Sequence, residues 1–157
     1  MAMQRRFAVE HSMVFPAGAQ MKGGVEPVSD FNAPAREDGS RPQQIDKDTG
    51  LPLWQVVVSD MDEDANKRDT GVAVKIAATH QPVPPAAMDV EVPGLGTVQV
   101  RFIEFIGLTA MPYVDDNGTR PRIAWSFKAV GLCAPGKAAE AEADLVKGGA
   151  FDTTAAA

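Results

Sequence analysis

The residues of this 157-residue chain that could do chemistry are basic and aromatic: Trp54, Lys75, Arg101, Tyr113, Arg120, Arg122, Trp125 and Lys128. Aromatic faces that stack on bases inside a positive groove bind single-stranded nucleic acid, at about 1 to 3 kcal/mol per stacked base. The stretch from Tyr113 to Lys128 holds both ingredients, with Arg120 and Arg122 at its turn. Lys75, Arg101, Tyr113, Arg120, Arg122, Trp125 and Lys128 are therefore the candidate nucleic-acid-binding residues. A bland reading competes with this one, because Trp54, Trp125 and Phe127 are the kind of residue that a small barrel buries.

Other chemistries fail on spacing. Asp60, Asp62 and Asp64 alternate like the opening of a calcium loop, but Ala65 stands where that loop needs its glycine and Gly71 where it needs a bidentate glutamate. Cys133 is the only cysteine, so neither an internal disulfide nor a multi-cysteine zinc site is expected, and a nucleophilic role would need a base from His11 or His80. Glu104, between Ile103 and Phe105, is the one carboxylate set in apolar sequence, and a lone acid on a strand that changes face is more often exposed beside a bulge than part of an active site. No phosphate-binding glycine motif is present, and PGLGTVQV leads into a strand pattern instead of a helix N-terminus. No catalytic, metal or cofactor-binding residue is assigned, and an enzyme is not expected.

Composition narrows the class. The length suits one domain. A hydrophobic content of 45% argues against disorder, while 14 Gly and 12 Pro imply many turns and few long helices. The net charge of −6 weighs against binding through bulk positive charge, although it leaves room for a local basic patch. No apolar run approaches the roughly 20 residues that span a bilayer. The opening MAMQRRF lacks the apolar stretch of a secretory signal, so a cytoplasmic location and no membrane partner are expected.

Strands must position the candidate residues. Met13 to Phe15 reads as a short strand ended by Pro16, the following AGAQMKGG as flexible, and Val25 to Phe31 as a second short strand. Asn32 to Gln44 reads as an exposed loop carrying Arg36 and Arg41. Period-two alternation then marks strands over Leu53 to Asp60 and Gly71 to Ala78, a hairpin with the long acidic tip MDEDANKRDT. Thr97 to Gly107 is the longest strand candidate, with a bulge or bend near Phe105 to Gly107 where its alternation degrades. Leu108 to Val114 and Ile123 to Val130 flank a turn containing Asn117-Gly118. The fold expected is mainly β: a small single-domain β-barrel, OB-fold-like, over residues 1–132, with a β-sandwich as the alternative. Residues 133–157 read as a flexible Ala- and Glu-rich tail, with a short frayed helix and then disorder.

Five segments, FPAGA (Phe15 to Ala19), GVEPVSDF (Gly24 to Phe31), DKDTGLPLWQVVVSDMD (Asp46 to Asp62), AVKIAA (Ala73 to Ala78) and RIAWSFKAVGL (Arg122 to Leu132), together resemble the plasmid replication, integration and excision activator family of actinobacterial plasmids and integrative elements. The resemblance covers Val14 to Leu132. It implies a non-enzymatic accessory protein that promotes replication, integration and excision of such an element, and it transfers no site residue. Single-stranded DNA is the partner expected from the residues, with replication or excision proteins of the element, or a second copy of the chain, as further partners. The alternative is a protein-interaction module that recruits a replication initiator or the transcription machinery.

Overall fold

The computed structural model describes residues 3–65 and 70–147. Along the chain these form β1 (Phe7–Ala8), α1 (His11–Val14), β2 (Ala19–Pro27), β3 (Leu53–Asp60), β4 (Gly71–Ala77), β5 (Met88–Val92), β6 (Gly96–Val100), β7 (Phe102–Ile106), β8 (Thr109–Asp115), β9 (Arg122–Ala129), β10 (Gly131–Cys133) and α2 (Ala138–Lys147). The fold is mainly β. Eight strands in the order β1-β8-β9-β4-β3-β2-β7-β10 make one sheet that curls into a half-barrel, and β5 and β6 form a separate ribbon. No helix among the described residues is long and apolar enough to cross a membrane.

Alternation decides which face is buried, because successive side chains of a strand point to opposite sides. Val56 and Val58 of β3, Val74 and Ile76 of β4, and Ile103 and Phe105 of β7 are buried, and with Phe15, Ala19, Met21, Val25, Leu108 and Ala129 they form the core. Each fully buried aliphatic or aromatic side chain contributes about 1.5 to 3 kcal/mol. Trp54 packs on the edge of this core, and its Nε1–H donates to the Ala78 carbonyl at 2.9 Å.

All ladders in the large sheet are antiparallel except β4–β9, which runs parallel with Val74, Lys75 and Ile76 opposite Phe127, Lys128 and Ala129. Consecutive strands β7 and β8 lie near opposite ends of the sheet, as do β9 and β10. They are two halves of one long hairpin: β8 pairs with β9 from Thr109↔Lys128 onward, and β7 pairs with β10 from Ile106↔Gly131 onward. Between the halves the hairpin bends, held by a 2.8 Å bond from the Val130 N–H to the Ile106 carbonyl.

The expected bend near Phe105 to Gly107 is thus present, at Gly107, whose φ is +60°. The expected single strand from Thr97 to Gly107 is instead divided at Arg101: its first half pairs with β5 and only its second half enters the sheet. Two other expectations change. Met13 to Phe15 is not a strand, since His11–Val14 forms one helical turn that lets Phe15 enter the core. The stretch read as flexible, Ala17 to Gly24, supplies most of β2, where Gly23, Gly24 and Val25 bulge against Val56; two adjacent glycines permit the bulge, and Gly23 takes φ +68°. Residues 138–147, expected as a frayed helix, form α2, which lies against β10 with Leu145 beside Gly131. Part of the acidic hairpin tip, residues 66–69, and residues 148–157 of the tail lie outside the described residues.

A side chain at Gly107 would meet two obstacles, because an added Cβ lies 2.6 Å from Val130 Cγ2 and the backbone conformation disfavours L-residues. Gly107→Ala is expected to lower unfolding free energy by about 1 to 3 kcal/mol in urea titrations. Gly118→Ala, where an added Cβ would meet only the Arg120 carbonyl at an ordinary contact distance of 3.9 Å and φ is not positive, is expected to change it by less than about 0.5 kcal/mol.

Candidate nucleic-acid interface

The parallel β4–β9 pairing puts Lys75 beside Lys128, on the face opposite the buried Val74, Ile76 and Ala129. Along the same outer face β9 adds Ser126, Ala124 and Arg122, and β8 adds Thr109, Met111, Tyr113 and Asp115. Lys75, Lys128, Tyr113 and Arg122 are thereby brought to one surface. Sequence reading missed a fifth member, Arg6. Its Nη1 donates to the Thr109 hydroxyl and the Ser126 carbonyl, each at 3.3 Å, and its Nη2 to the Ser126 hydroxyl at 3.4 Å. Only the register of β1 on β8 carries Arg6 there, and a pairing of two residues has no alternation to announce it.

The other three candidates lie elsewhere. Trp125 shares the parity of Phe127 and Ala129, but β4 pairs only with residues 127–129, so Trp125 projects past the rim and is 52% exposed. Around it on that opposite face stand Pro112, Val114 and Ile123. Arg120 sits exposed in the loop 116–121. Arg101 precedes β7, which pairs with β2 and β10 and not with β4 or β9. Its carbonyl accepts the Met21 N–H at 2.7 Å, while its Nε is buried without a hydrogen-bond partner among the described residues.

Compared with family models, with curated proteins and with solved structures, the chain matches none.

Much of its positive charge is already engaged. Lys128 forms an ion pair with Asp46 and a second contact, at 3.4 Å, with Asp48. Asp46 is almost completely buried, and its carboxylate also accepts the Thr49 hydroxyl at 2.7 Å. Burial would raise the Asp46 carboxyl, but the Lys128 and Thr49 hydrogen bonds and the Lys128 charge outweigh it and hold the pKa below the ordinary value. Arg122 Nε lies 3.3 Å from Asp115, whose carboxyl is lowered chiefly by the Asn117 N–H and then by Arg122. Lys75 makes no ion pair among the described residues.

The Asp46–Lys128 pair also fixes the loop between β2 and β3 to β9. That loop is tied at several further points: Ser29 bridges Gln43, Ile45 bridges Pro52, and Arg41, expected on an exposed loop, donates to the Phe31 and Ala33 carbonyls while lying 5.4 Å over the Phe31 ring. It flanks the outer face.

Reactive groups at the far end of the sheet are quiet. Burial, then Glu104 and Glu142, push the Cys133 thiol up to about 11, so it is not a thiolate at neutral pH. Glu104 accepts the Gly136 N–H at 2.8 Å. The described residues contain no group of three or more His, Cys, Asp or Glu arranged to hold a metal ion.

Asp46→Asn removes the charge that balances Lys128 and is expected to cost about 1 to 3 kcal/mol of stability at neutral pH. Asp48→Asn, at an exposed partner, should cost less than about 1 kcal/mol. Because the native Asp46 pKa is lowered, its contribution is full above the unfolded value of about 3.9 and is lost as pH falls through the native one. Urea unfolding measured from pH 7 downward should show a shallower loss below about pH 4 in Asp46→Asn than in the parent chain.

Proposed function

We propose that this protein binds single-stranded DNA on the outer face of an OB-type barrel, as a non-enzymatic accessory protein promoting replication, integration and excision of a mobile element. The observation that carries the proposal is the order of pairing. Counting β7–β8 and β9–β10 each as one bent strand, the first strand (β2) pairs with the second (β3) and the fourth, the third (β4) pairs with the second and runs parallel to the fifth, and the fourth and fifth pair together. OB barrels share this order, and they bind oligonucleotides on the face of strands two and three, between the loops that follow strands one and four. The corresponding loops here are residues 28–52 and 116–121, and the surface they flank carries Lys75 of the third strand beside Lys128 of the fifth, with Arg122 and Tyr113 farther along it and Arg6, just before β1, bonded to Thr109 and Ser126. One departure stands out: between the third and fourth strands this chain has the β5–β6 ribbon where OB barrels commonly carry a helix. The mobile-element context comes from the family resemblance alone.

A second reading, a protein-interaction module, is favoured by a specific surface. Val114, Ile123 and Trp125 expose an apolar face on the projecting hairpin, away from the basic residues. The two readings separate by mutation.

Fluorescence anisotropy with a labelled oligonucleotide of about 15 nucleotides, at low and moderate salt, tests the first. Binding should weaken with salt, Tyr113→Ala should reduce affinity by about 5- to 100-fold, and Lys75→Ala should weaken binding and flatten the salt dependence. Absence of binding at micromolar protein would sink the single-strand reading. Binding that survives Tyr113→Ala and Lys75→Ala but is lost in Trp125→Ala would move the site to the opposite face of the hairpin.

A further inference from the structure

Residues 6–15 form a strap laid across the bend of the long hairpin. Arg6 is bonded to β8 and β9, Phe7 and Ala8 pair with Ala110 and Thr109, and the Val9 N–H donates to the Leu108 carbonyl at 3.0 Å. Beyond the bend the strap makes one polar contact with β7: the Phe105 N–H donates to His11 Nδ1 at 3.1 Å. His11 then stacks obliquely on Phe15 and Phe105, with ring centroids 5.2 and 5.9 Å away, and Phe15 carries the strap into the core.

We infer that His11 is a pH-sensitive latch for this strap, closed when the imidazole is neutral and its Nδ1 accepts the Phe105 amide, and open when that nitrogen carries a proton. An imidazolium has two N–H donors and no acceptor. Its Nδ1–H would face the Phe105 N–H, so that this partly buried amide would lose its hydrogen bond to the strap. Such a loss costs about 1 to 3 kcal/mol, or about 5- to 150-fold in the local opening equilibrium.

The surroundings give the opened ring somewhere to go. His11 lines a cleft of about 490 Å³ together with Glu10, Ser12, Glu104 of β7 and Glu142 of α2. These three carboxylates are the charged groups facing the cleft from the strap, the sheet and the C-terminal helix; the remaining titratable neighbour, Cys133 of β10, is buried and protonated. Glu104 favours the imidazolium electrostatically, and Glu10 and Glu142 line the same cleft. Burial opposes charging more strongly than Glu104 favours it, and holds the His11 pKa below its ordinary value. The sign follows: the latch is fully closed above the unfolded histidine value of about 6.5 and opens as pH falls through the lower native value.

Opening frees the segment that brings Arg6 to the outer face. That consequence rests on the nucleic-acid reading above, whereas the latch does not. The test is amide hydrogen exchange by NMR without DNA, at about pH 7.5 and about pH 5, with rates corrected for intrinsic pH dependence. In the parent chain the Phe105 and Val9 amides should lose about tenfold in protection at the lower pH, while the core amides of Val56 and Val74 keep theirs. His11→Asn, whose side-chain carbonyl can accept the same bond without titrating, should show no such loss. A titration of the unmodified chain gives a second readout, in which the Phe105 amide shift should follow the His11 ring with the same midpoint. Unchanged protection, an equal loss in the core amides, an equal loss in His11→Asn, or a Phe105 shift indifferent to His11 would each overturn the latch. Failure of the oligonucleotide experiment would leave these results standing.

Discussion

The bend at Gly107 and Val130 lets a single hairpin serve both ends of the sheet, and everything else in the molecule is arranged around it. Without the bend, residues 102–115 and 122–133 would extend as a straight two-stranded ribbon with one face open to water. With it, the near half pairs with β2 and the far half with β4, so Ile103, Phe105, Leu108, Phe127 and Ala129 converge on the side chains of β3 and β4. A two-stranded hairpin alone is marginal in water, and the third neighbour on each side is what makes these strands independently stable. The conformation at Gly107 is local, yet it governs contacts far apart in sequence.

The curl of the sheet also sets the electrostatics of the outer face. Parallel pairing of β4 with β9 places two lysines side by side, and like charges directly opposite one another are destabilising. The structure answers with Asp46, brought from the loop between β2 and β3 to bind Lys128. One ion pair therefore does two things: it relieves the repulsion between neighbouring lysines and it holds a long loop against the sheet. Lys75 is left as the lysine of this face without an ion pair among the described residues, with Arg6 and Arg122 partly engaged by the fold. On a chain of net charge −6 such a face can bind weakly through charge alone, so stacking on Tyr113 has to supply a large share of any affinity.

The elements legible in the sequence are those whose alternation is long and unbroken. β3, β4, β8 and β9 lie within a residue or two of where their patterns put them, because apolar alternation runs unbroken through each, facing the core in β3 and β4 and continuing onto the exposed end of the β8–β9 hairpin. The patterns fail where a short element or an interruption hides the period. In β2 the pair Gly23-Gly24 breaks the alternation of Ala19 and Met21 from that of Val25. Near His11 a single helical turn has too few residues to show any period. At Arg101 the alternation runs on while the pairing partner changes. The order of strands was not legible in local pattern at all, since it depends on pairings between segments fifty or more residues apart. Among the site residues, the proximity of Lys75, Tyr113, Arg122 and Lys128 follows from that order, and so does the separation of Trp125 and Arg101 from them.

Trp125 shows why composition alone cannot assign a site. In sequence it belongs with Tyr113, Arg122 and Lys128, and in the hairpin it stands on the opposite face from all three. A base stacked on Tyr113 would lie over the basic outer face; a base stacked on Trp125 would lie against Val114 and Ile123, among apolar neighbours and remote from Lys75. Phosphate contacts dominate nucleic-acid affinity, which favours the Tyr113 face for a nucleic acid. An exposed cluster of Trp, Ile and Val with few charges within it has the composition of the centre of a protein interface, where aromatic residues are enriched and charged ones depleted. The two faces of one hairpin thus carry the two chemistries separately, and a DNA strand and a protein could occupy them together without competing for the same side chains.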